Sequence, residues 1–194
     1  MMEIKAKTQD IVAGSLITAK GVHESLNATG KYVVECYDKD KNLKWVAESK
    51  NLVVNVGLQY MAGVALTSTA QITSWYVGLY GAGASNTPAA SDTMSSHAGW
   101  TENTNYSPSG RKALVMGTAT TADPSVINNS SSTAVFTMTS NAQVIAGAFV
   151  TTVNTGGTSP GAKLFSEGNF TGGDKTVDSG DTLTVTYEFS LNPA

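Results

Sequence analysis

Cysteine and histidine are scarce in this chain, which has one cysteine and two histidines among 194 residues. A single thiol, Cys36, cannot form an intramolecular disulfide, so a secreted scaffold held together by disulfides is excluded. A structural zinc site needs about four nitrogen or sulfur ligands, and His23, His97 and Cys36 lack ligand spacing. The sequence also has no nucleophile elbow, phosphate-binding loop or dinucleotide fingerprint. We therefore expect no metal, no cofactor and no enzymatic activity.

Charged residues are scarce as well, at 14% of the chain against roughly 25% in an average protein. The net charge is −3, and a nucleic-acid groove would need a clustered basic patch, so we expect no nucleic-acid partner. No apolar run approaches the roughly 18 residues of a membrane span, and the N-terminus lacks a signal-peptide pattern. These absences predict a protein made in a cytoplasm, with no membrane partner and a weakly hydrated surface rich in Thr, Ser and Asn.

The few charges are distributed unevenly along the chain. Residues 1–50 hold 8 of the 12 Lys and Arg and 7 of the 15 Asp and Glu. This shift predicts an extended N-terminal arm over 1–30 and a β-sandwich domain over 31–194. The arm has only isolated apolar residues, so we expect it to need a partner in order to become ordered. The residues expected to contact that partner are Ile4, Ile11, Val12, Leu16 and Ile17.

Alternating apolar residues predict an all-β protein. Residues 181–191 place a large apolar side chain at every second position and mostly Thr between them, as in a strand with one buried face. A hairpin is predicted over 31–47, and a short helix over about 52–66 with Asn51 as its N-cap. Strands separated by Gly, Asn and Ser turns over 72–191 then favour an antiparallel sandwich, either a jelly roll or immunoglobulin-like.

Other strands and a turn are predicted within that region. The strand candidates are 72–80, 112–119, 134–139, 142–153 and 163–166, and a short helical turn is predicted at 92–97.

Three chemical alternatives remain open from the residues themselves. Asp174, Asp178 and Asp181 lie in a Gly-rich stretch and could hold calcium through oxygen ligands, although turns also favour Asp. Trp45, Trp100 and Tyr106 could form a sugar-stacking platform, although aromatic residues of a sandwich usually belong to its core. The adjacent Ser96 and His97 would suggest a hydrolase only with a third catalytic member, which the sequence does not identify.

Several motifs resemble those of one protein family. The most characteristic is Asp-Thr-Met-Ser-Ser-His-Ala-Gly-Trp-Thr-Glu at 92–102, followed by Tyr106 and Arg111. The others are Lys-Tyr-Val-Val-Glu-Cys-Tyr-Asp-Lys-Asp at 31–40, Lys-Trp at 44–45, Asn-Leu-Val-Val-Asn-Val-Gly-Leu at 51–58, Trp-Tyr-Val-Gly-Leu at 75–79, Leu-Phe at 164–165, Gly-Gly-Asp at 172–174 and Ser-Gly-Asp-Thr-Leu-Thr-Val-Thr-Tyr at 179–187. Over about residues 31–191 the chain is similar to virion structural proteins of tailed bacteriophages.

The resemblance implies a capsid decoration or cement protein. Such a protein would sit on the capsid surface as a dimer or trimer and bridge neighbouring copies of the major capsid protein. Trp100, Tyr106 and Arg111 belong to the shared motifs and are expected partner contacts, and residues 1–30 are expected to lie against the capsid or a sister subunit. The alternative is a tail or head-fibre protein that binds a host receptor or a glycan. No catalytic residue comes with the family.

Overall fold

The computed structural model describes residues 26–81, 87–157 and 161–193. The described residues form fourteen strands and one helix. In chain order these are β1 (Leu26–Tyr37), β2 (Leu43–Lys50), β3 (Leu52–Val53), α1 (Asn55–Leu66), β4 (Tyr76–Gly81), β5 (Thr101–Asn103), β6 (Tyr106–Ser107), β7 (Lys112–Ala113), β8 (Ser125–Asn128), β9 (Ala134–Met138), β10 (Gln143–Ile145), β11 (Gly147–Thr151), β12 (Leu164–Asn169), β13 (Lys175–Val177) and β14 (Thr182–Pro193).

Two antiparallel sheets make up the body, which confirms the predicted all-β sandwich. Sheet 1 has the strand order β2-β1-β14-β9-β6, with β8 also paired to β14, and sheet 2 has the order β3-β12-β11-β4-β5, with β7 also paired to β4. Strands β10 and β13 form a separate two-stranded ladder. The longest pairing joins β1 to β14 along their whole lengths, from Leu26 opposite Pro193 to Tyr37 opposite Thr182. This ladder is the backbone of sheet 1.

The main core lies between the two sheets. From sheet 1 it takes the inward-facing side chains of β1, β9 and β14, among them Tyr32, Phe136 and Leu183, which are fully buried. From sheet 2 it takes Val77 and Val150. The outward-facing residues of β14 are the Thr positions of the alternating pattern, and they are only half-buried. The alternating pattern of 181–191 therefore corresponds to a strand with one buried face, as predicted.

Sheet 2 is buried on both of its faces. Every residue of β11 is buried, and so are five of the six residues of β4. Its second face carries Tyr80 and Phe149, which pack against Met94 and Trp100 of the segment 87–100. Because this segment covers a face that would otherwise meet water, the two strands read in the sequence as nearly continuous apolar runs.

Three predicted boundaries need correction near the N-terminal side. Residues 26–30, assigned to the arm, belong to β1 because their backbone pairs with 189–193 of β14. The hairpin predicted over 31–47 corresponds to the longer strands β1 and β2. Helix α1 starts at Asn55 instead of 52, and its N-cap is Val54. Asn51 instead donates its side-chain N–H to the hydroxyl of Tyr187, at 2.9 Å.

Other boundaries shift because strands change partners. The strand predicted over 142–153 divides at Ala146, where the chain leaves its pairing with β13 and enters sheet 2 between β4 and β12. The strand predicted from residue 72 starts at Tyr76, and the one predicted over 112–119 ends at Ala113. The predicted helical turn at 92–97 is a non-helical turn closed by a bridge between Thr93 and Ser96.

Candidate functional site

An aromatic cluster covers the second face of sheet 2. The imidazole of His97 stacks on the indole of Trp100 with ring centroids 3.6 Å apart, and Trp100 lies 4.8 Å from both Tyr80 and Phe149. Gly78 leaves the space that the ring of Phe149 fills, since a side chain at that position would clash with the ring. The cluster therefore holds segment 87–100 against the sheet, and it places Trp100 in the interior with 5% exposure.

A buried carboxyl group lies beneath this cluster. Trp100 donates its indole N–H to Oε2 of Glu167, at 2.7 Å, and Glu167 is fully buried. The other oxygen, Oε1, has no hydrogen-bond partner in the described parts of the chain. Burial and the nearby carboxyl of Asp92 raise the pKa of Glu167 to about 8. The raised pKa favours the protonated form of Glu167 at neutral pH. Because the side chain is fully buried, a substrate has no access to it.

Arg111 is buried in a second polar cluster. Its guanidinium makes a two-pronged ion pair with Glu102, at 2.7 and 2.9 Å, and donates to the carbonyl oxygens of Val153 and Gly157. The guanidinium also lies 5.1 Å from the ring centroid of Phe149. The N–H groups of Arg111 thus donate to partners inside the protein, and these bonds hold the loop at 153–157 against sheet 2.

Tyr106 belongs to the main core. Its ring meets Phe136 edge-on at 4.8 Å, and burial raises the pKa of its phenol to about 12. With Trp100 at 5% exposure and Tyr106 and Arg111 at 4%, none of the three presents a side-chain surface to a partner of the folded chain. Burial therefore argues against the expected direct contacts, and it also removes Trp100 and Tyr106 from a sugar-stacking platform. The arm residues Ile4, Ile11, Val12, Leu16 and Ile17 lie outside the described residues.

The chemical alternatives find little support in the described residues. Nδ1 of His97 has no hydrogen-bond partner there, so nothing described orients the ring as a catalytic base. No group of three potential metal ligands occurs in the same residues. Asp181 instead pairs with Lys44 at 2.5 Å and accepts the backbone N–H of Asp178 at 2.8 Å. Asp178 and Asp181 thus close a turn and pair with Lys44.

The outer face of sheet 1 combines rows of Thr and Val with several charged side chains. Across β2, β1, β14 and β9, one row of neighbours is Val46, Glu35, Thr184 and Val135. The adjacent rows supply Glu48, Val33 and Thr186 on one side and Tyr37, Thr182 and Thr137 on the other. Val46 is 46% exposed and Val135 44%. Sequence analysis identified the Thr of β14, but the valines become neighbours of those Thr only through the strand pairing.

The charges on this face are already partly satisfied. Glu35 accepts a hydrogen bond from the hydroxyl of Tyr37 at 2.8 Å, and Lys31 lies 3.4 Å from Glu188. Exposed Glu48 and Lys50 lie on β2, at the edge of the sheet, so a partner centred on the Thr and Val positions would dehydrate mainly hydroxyl and methyl groups. That costs less free energy than removing water from unpaired charges.

A second apolar surface lies beside helix α1, where sheet 1 extends beyond sheet 2. A groove of about 710 Å³ opens there between the helix and the ends of β1 and β14. None of its lining residues is charged. Sequence reasoning missed this groove, although helix α1 carried a signal, since residues 55–66 contain no charged residue.

No family model, curated protein or solved structure matches this chain. The described residues contain no helix long and apolar enough to span a membrane.

Proposed function

We propose that this protein is a non-enzymatic virion structural protein that decorates and reinforces the capsid of a tailed bacteriophage. Each copy would bridge neighbouring subunits of the major capsid protein, and the copies would associate as dimers or trimers on the capsid surface. The observation that carries the proposal is the outer face of sheet 1, with its Thr rows flanked by exposed Val46 and Val135. The resemblance of the sequence to virion proteins suggests the major capsid protein as the partner that binds this face.

The chemistry of the face suits a contact repeated over a shell. Covering exposed valine side chains contributes about 25 cal/mol for each Å² of apolar surface removed from water. A modest gain per copy is multiplied by symmetry over many equivalent positions. The face is also stiff, because β1 and β14 at its centre are paired along twelve residues. Little conformational entropy is then lost when a partner binds.

Add-back to capsids tests the proposal. Heads of the phage that encodes this chain, prepared with its gene deleted, are mixed with purified protein, and bound copies are counted after sedimentation and by cryo-electron microscopy. We expect saturable, symmetric coverage of the head. Val46→Lys with Val135→Lys should weaken binding by more than about tenfold, since a charge buried without a partner costs about 2–5 kcal/mol.

The matched control is Val115→Lys, because Val115 is 54% exposed and lies outside the outer face of sheet 1. It should bind like the unmodified protein, which separates the contact surface from a general effect of added charge. Absence of binding to heads would refute the proposal. Protein found only at the tail or on fibres would instead favour a receptor- or glycan-binding fibre protein. Equal loss in the double variant and the control would remove the outer face as the contact surface.

A further inference from the structure

The apolar groove beside helix α1 arises from a difference in strand length. Strands β1 and β14 have twelve residues each, whereas β4, β11 and β12 of the opposing sheet have five or six. At about 3.3 Å per residue, β1 and β14 are therefore roughly 20 Å longer than those strands, and part of the excess lies at the groove. The overhanging inner face contributes Leu26, Ala28, Phe189 and Leu191 to one wall of the groove, and helix α1 forms the other.

Five aromatic side chains line this groove, and four of them form a chain of edge-on contacts. Tyr60 meets Trp75 edge-on at 5.4 Å, Trp75 meets Phe165 at 5.3 Å, and Phe165 meets Phe189 at 5.6 Å. The hydroxyl of Tyr60 accepts the backbone N–H of Ile72, at 2.7 Å, which anchors the segment before β4 to the helix. The groove is thus a built feature with fixed walls.

Helix α1 is unusually apolar for a helix that is so exposed. It has no charged residue, yet Gly57 is its one buried residue in the described structure. Leu58 is 42% exposed and Leu66 85% exposed. A helix that is apolar all round is normally covered, because twelve residues of this kind gain their stability mainly from packing. The exposed apolar surface of α1 therefore suits a covering segment.

The preceding segment of the same chain has the matching chemistry. Residues 11–19 read Ile-Val-Ala-Gly-Ser-Leu-Ile-Thr-Ala and contain no charge, whereas Asp10 and Lys20 bound them. The groove is equally free of charged residues. This stretch is also the most apolar part of residues 1–25.

The point at which the described chain begins favours the same occupant. Leu26 itself lines the groove and is 65% exposed. Only residues 20–25 separate it from the apolar stretch, and six residues can span about 20 Å. Gly21 allows this short connection to reverse direction. A segment tethered this closely has an effective concentration on the order of millimolar, well above that of a segment from another copy at ordinary protein concentrations.

We propose that residues 11–19 fill the groove of their own chain and cover helix α1. This does not depend on attachment to a capsid, so failure of either proposal leaves the other standing. It places a defined part of the N-terminal arm on the sandwich, with residues 1–10 left beyond it.

A full-length variant tests occupancy of the groove. Leu16→Asp with Ile17→Asp puts two carboxylates into the apolar stretch, and the control, Met2→Asp with Ile4→Asp, puts two carboxylates outside it. We expect the first double variant to increase the fluorescence of the apolar dye 1-anilinonaphthalene-8-sulfonate several-fold and to speed hydrogen exchange in α1, and we expect the control to behave like the unmodified protein. Near-ultraviolet circular dichroism checks that the sandwich stays folded. Equal dye fluorescence in the first double variant and the unmodified protein would overturn the proposal.

A cross-link distinguishes the chain's own arm from that of a second copy. Cys36 is fully buried, so cysteines introduced by Leu16→Cys and Ala62→Cys would be the accessible pair among the positions concerned. A short bismaleimide should join them within one chain, whereas Leu16→Cys with Asp40→Cys, in the exposed turn beyond the opposite end of β1 from Leu26, should give no such product. Cross-linked dimers would assign the groove to the arm of another copy, and absence of any cross-link would leave the groove to an outside partner. Either result overturns the proposal.

Discussion

The indole N–H of Trp100 ends on a carboxyl oxygen of Glu167, 2.7 Å away, in the interior between sheet 2 and the segment that covers it. This hydrogen bond joins residues 67 positions apart in the sequence, and both side chains are buried. It anchors segment 87–100 at the same place where Trp100 stacks with Tyr80 and His97. The contact makes the stability of the covered face dependent on the protonation of one carboxyl group.

Glu167 should make the protein less stable as the pH rises. Its pKa is about 8 in the folded chain and near 4.5 when it is exposed by unfolding. Between these values the folded chain holds a proton that the unfolded chain has released. The stability contribution is therefore complete below about pH 4.5 and is lost as the pH rises to about 8. Burial lowers the pKa of His97, so below pH 6.5 this residue makes the protein more stable as the pH rises. The effect of Glu167 on stability is therefore best measured between pH 7 and pH 9.

Glu167→Gln keeps an acceptor for Trp100 and removes the titrating group. We expect its urea midpoint to vary less between pH 7 and pH 9 than that of the unmodified protein, and to be the higher of the two at pH 9. Glu48→Gln, at an exposed position of β2, removes a carboxylate without touching this site and should keep the original slope. Parallel slopes for all three proteins would show that Glu167 does not hold the proton.

Gly78 should be intolerant of even one methyl group. An alanine there would press against the ring of Phe149, and overpacking of this kind typically costs about 1–3 kcal/mol. We expect Gly78→Ala to lower the free energy of unfolding by that amount. In a Phe149→Leu background the same change should cost much less, so a double-mutant cycle measured by urea unfolding gives a clear coupling energy. If Gly78→Ala lowered the free energy of unfolding equally in both backgrounds, the ring of Phe149 would not be the group that the alanine presses against.

Local sequence patterns predicted the parts of the fold that depend on one strand alone. The alternation of 181–191 gave β14 and its inward face, because the period of two is a property of the strand itself. The same is true of the hairpin predicted over 31–47, because its turn is closed locally by the Asp38 carboxylate, which accepts the backbone N–H groups of Asp40 and Asn42. Residues 26–30 show why other boundaries failed, since their strand conformation comes from pairing with the far end of the chain.

The site residues were harder to predict because their surroundings come from distant elements. Trp100 and Arg111 have the composition of an interaction surface, yet Glu167 and Glu102 give each a buried partner. The groove arises from unequal strand lengths in two sheets, which no local window of sequence contains. Helix α1 was the exception, since a helix without charge could have signalled a covered surface from the sequence alone.

The buried pair of Arg111 and Glu102 should be essential for stability. Removing one partner leaves the other charge buried without compensation, which typically costs about 3–5 kcal/mol. We expect Glu102→Gln to lower the free energy of unfolding by about this amount, measured by urea unfolding at neutral pH. Asp40→Asn breaks the ion pair between Lys39, whose side chain is 74% exposed, and Asp40, which is 64% exposed. This change should leave the urea midpoint nearly unchanged. Equal effects of the two substitutions would contradict the stabilising role of the buried pair.

Calcium should not stabilise the turn formed by residues 178–181. The Asp181 carboxylate already accepts from Lys44 and from the backbone of Asp178, and the pairing raises the pKa of Lys44. A cation would have to displace the lysine, so millimolar Ca²⁺ should leave the melting temperature unchanged, as should EDTA. Lys44→Met removes the competing ammonium and leaves Asp181 buried without its partner, so this variant should be less stable. If Ca²⁺ restored the lost stability in Lys44→Met, the turn could hold a metal when the lysine is absent. A rise in melting temperature of the unmodified protein with Ca²⁺ would contradict the prediction outright.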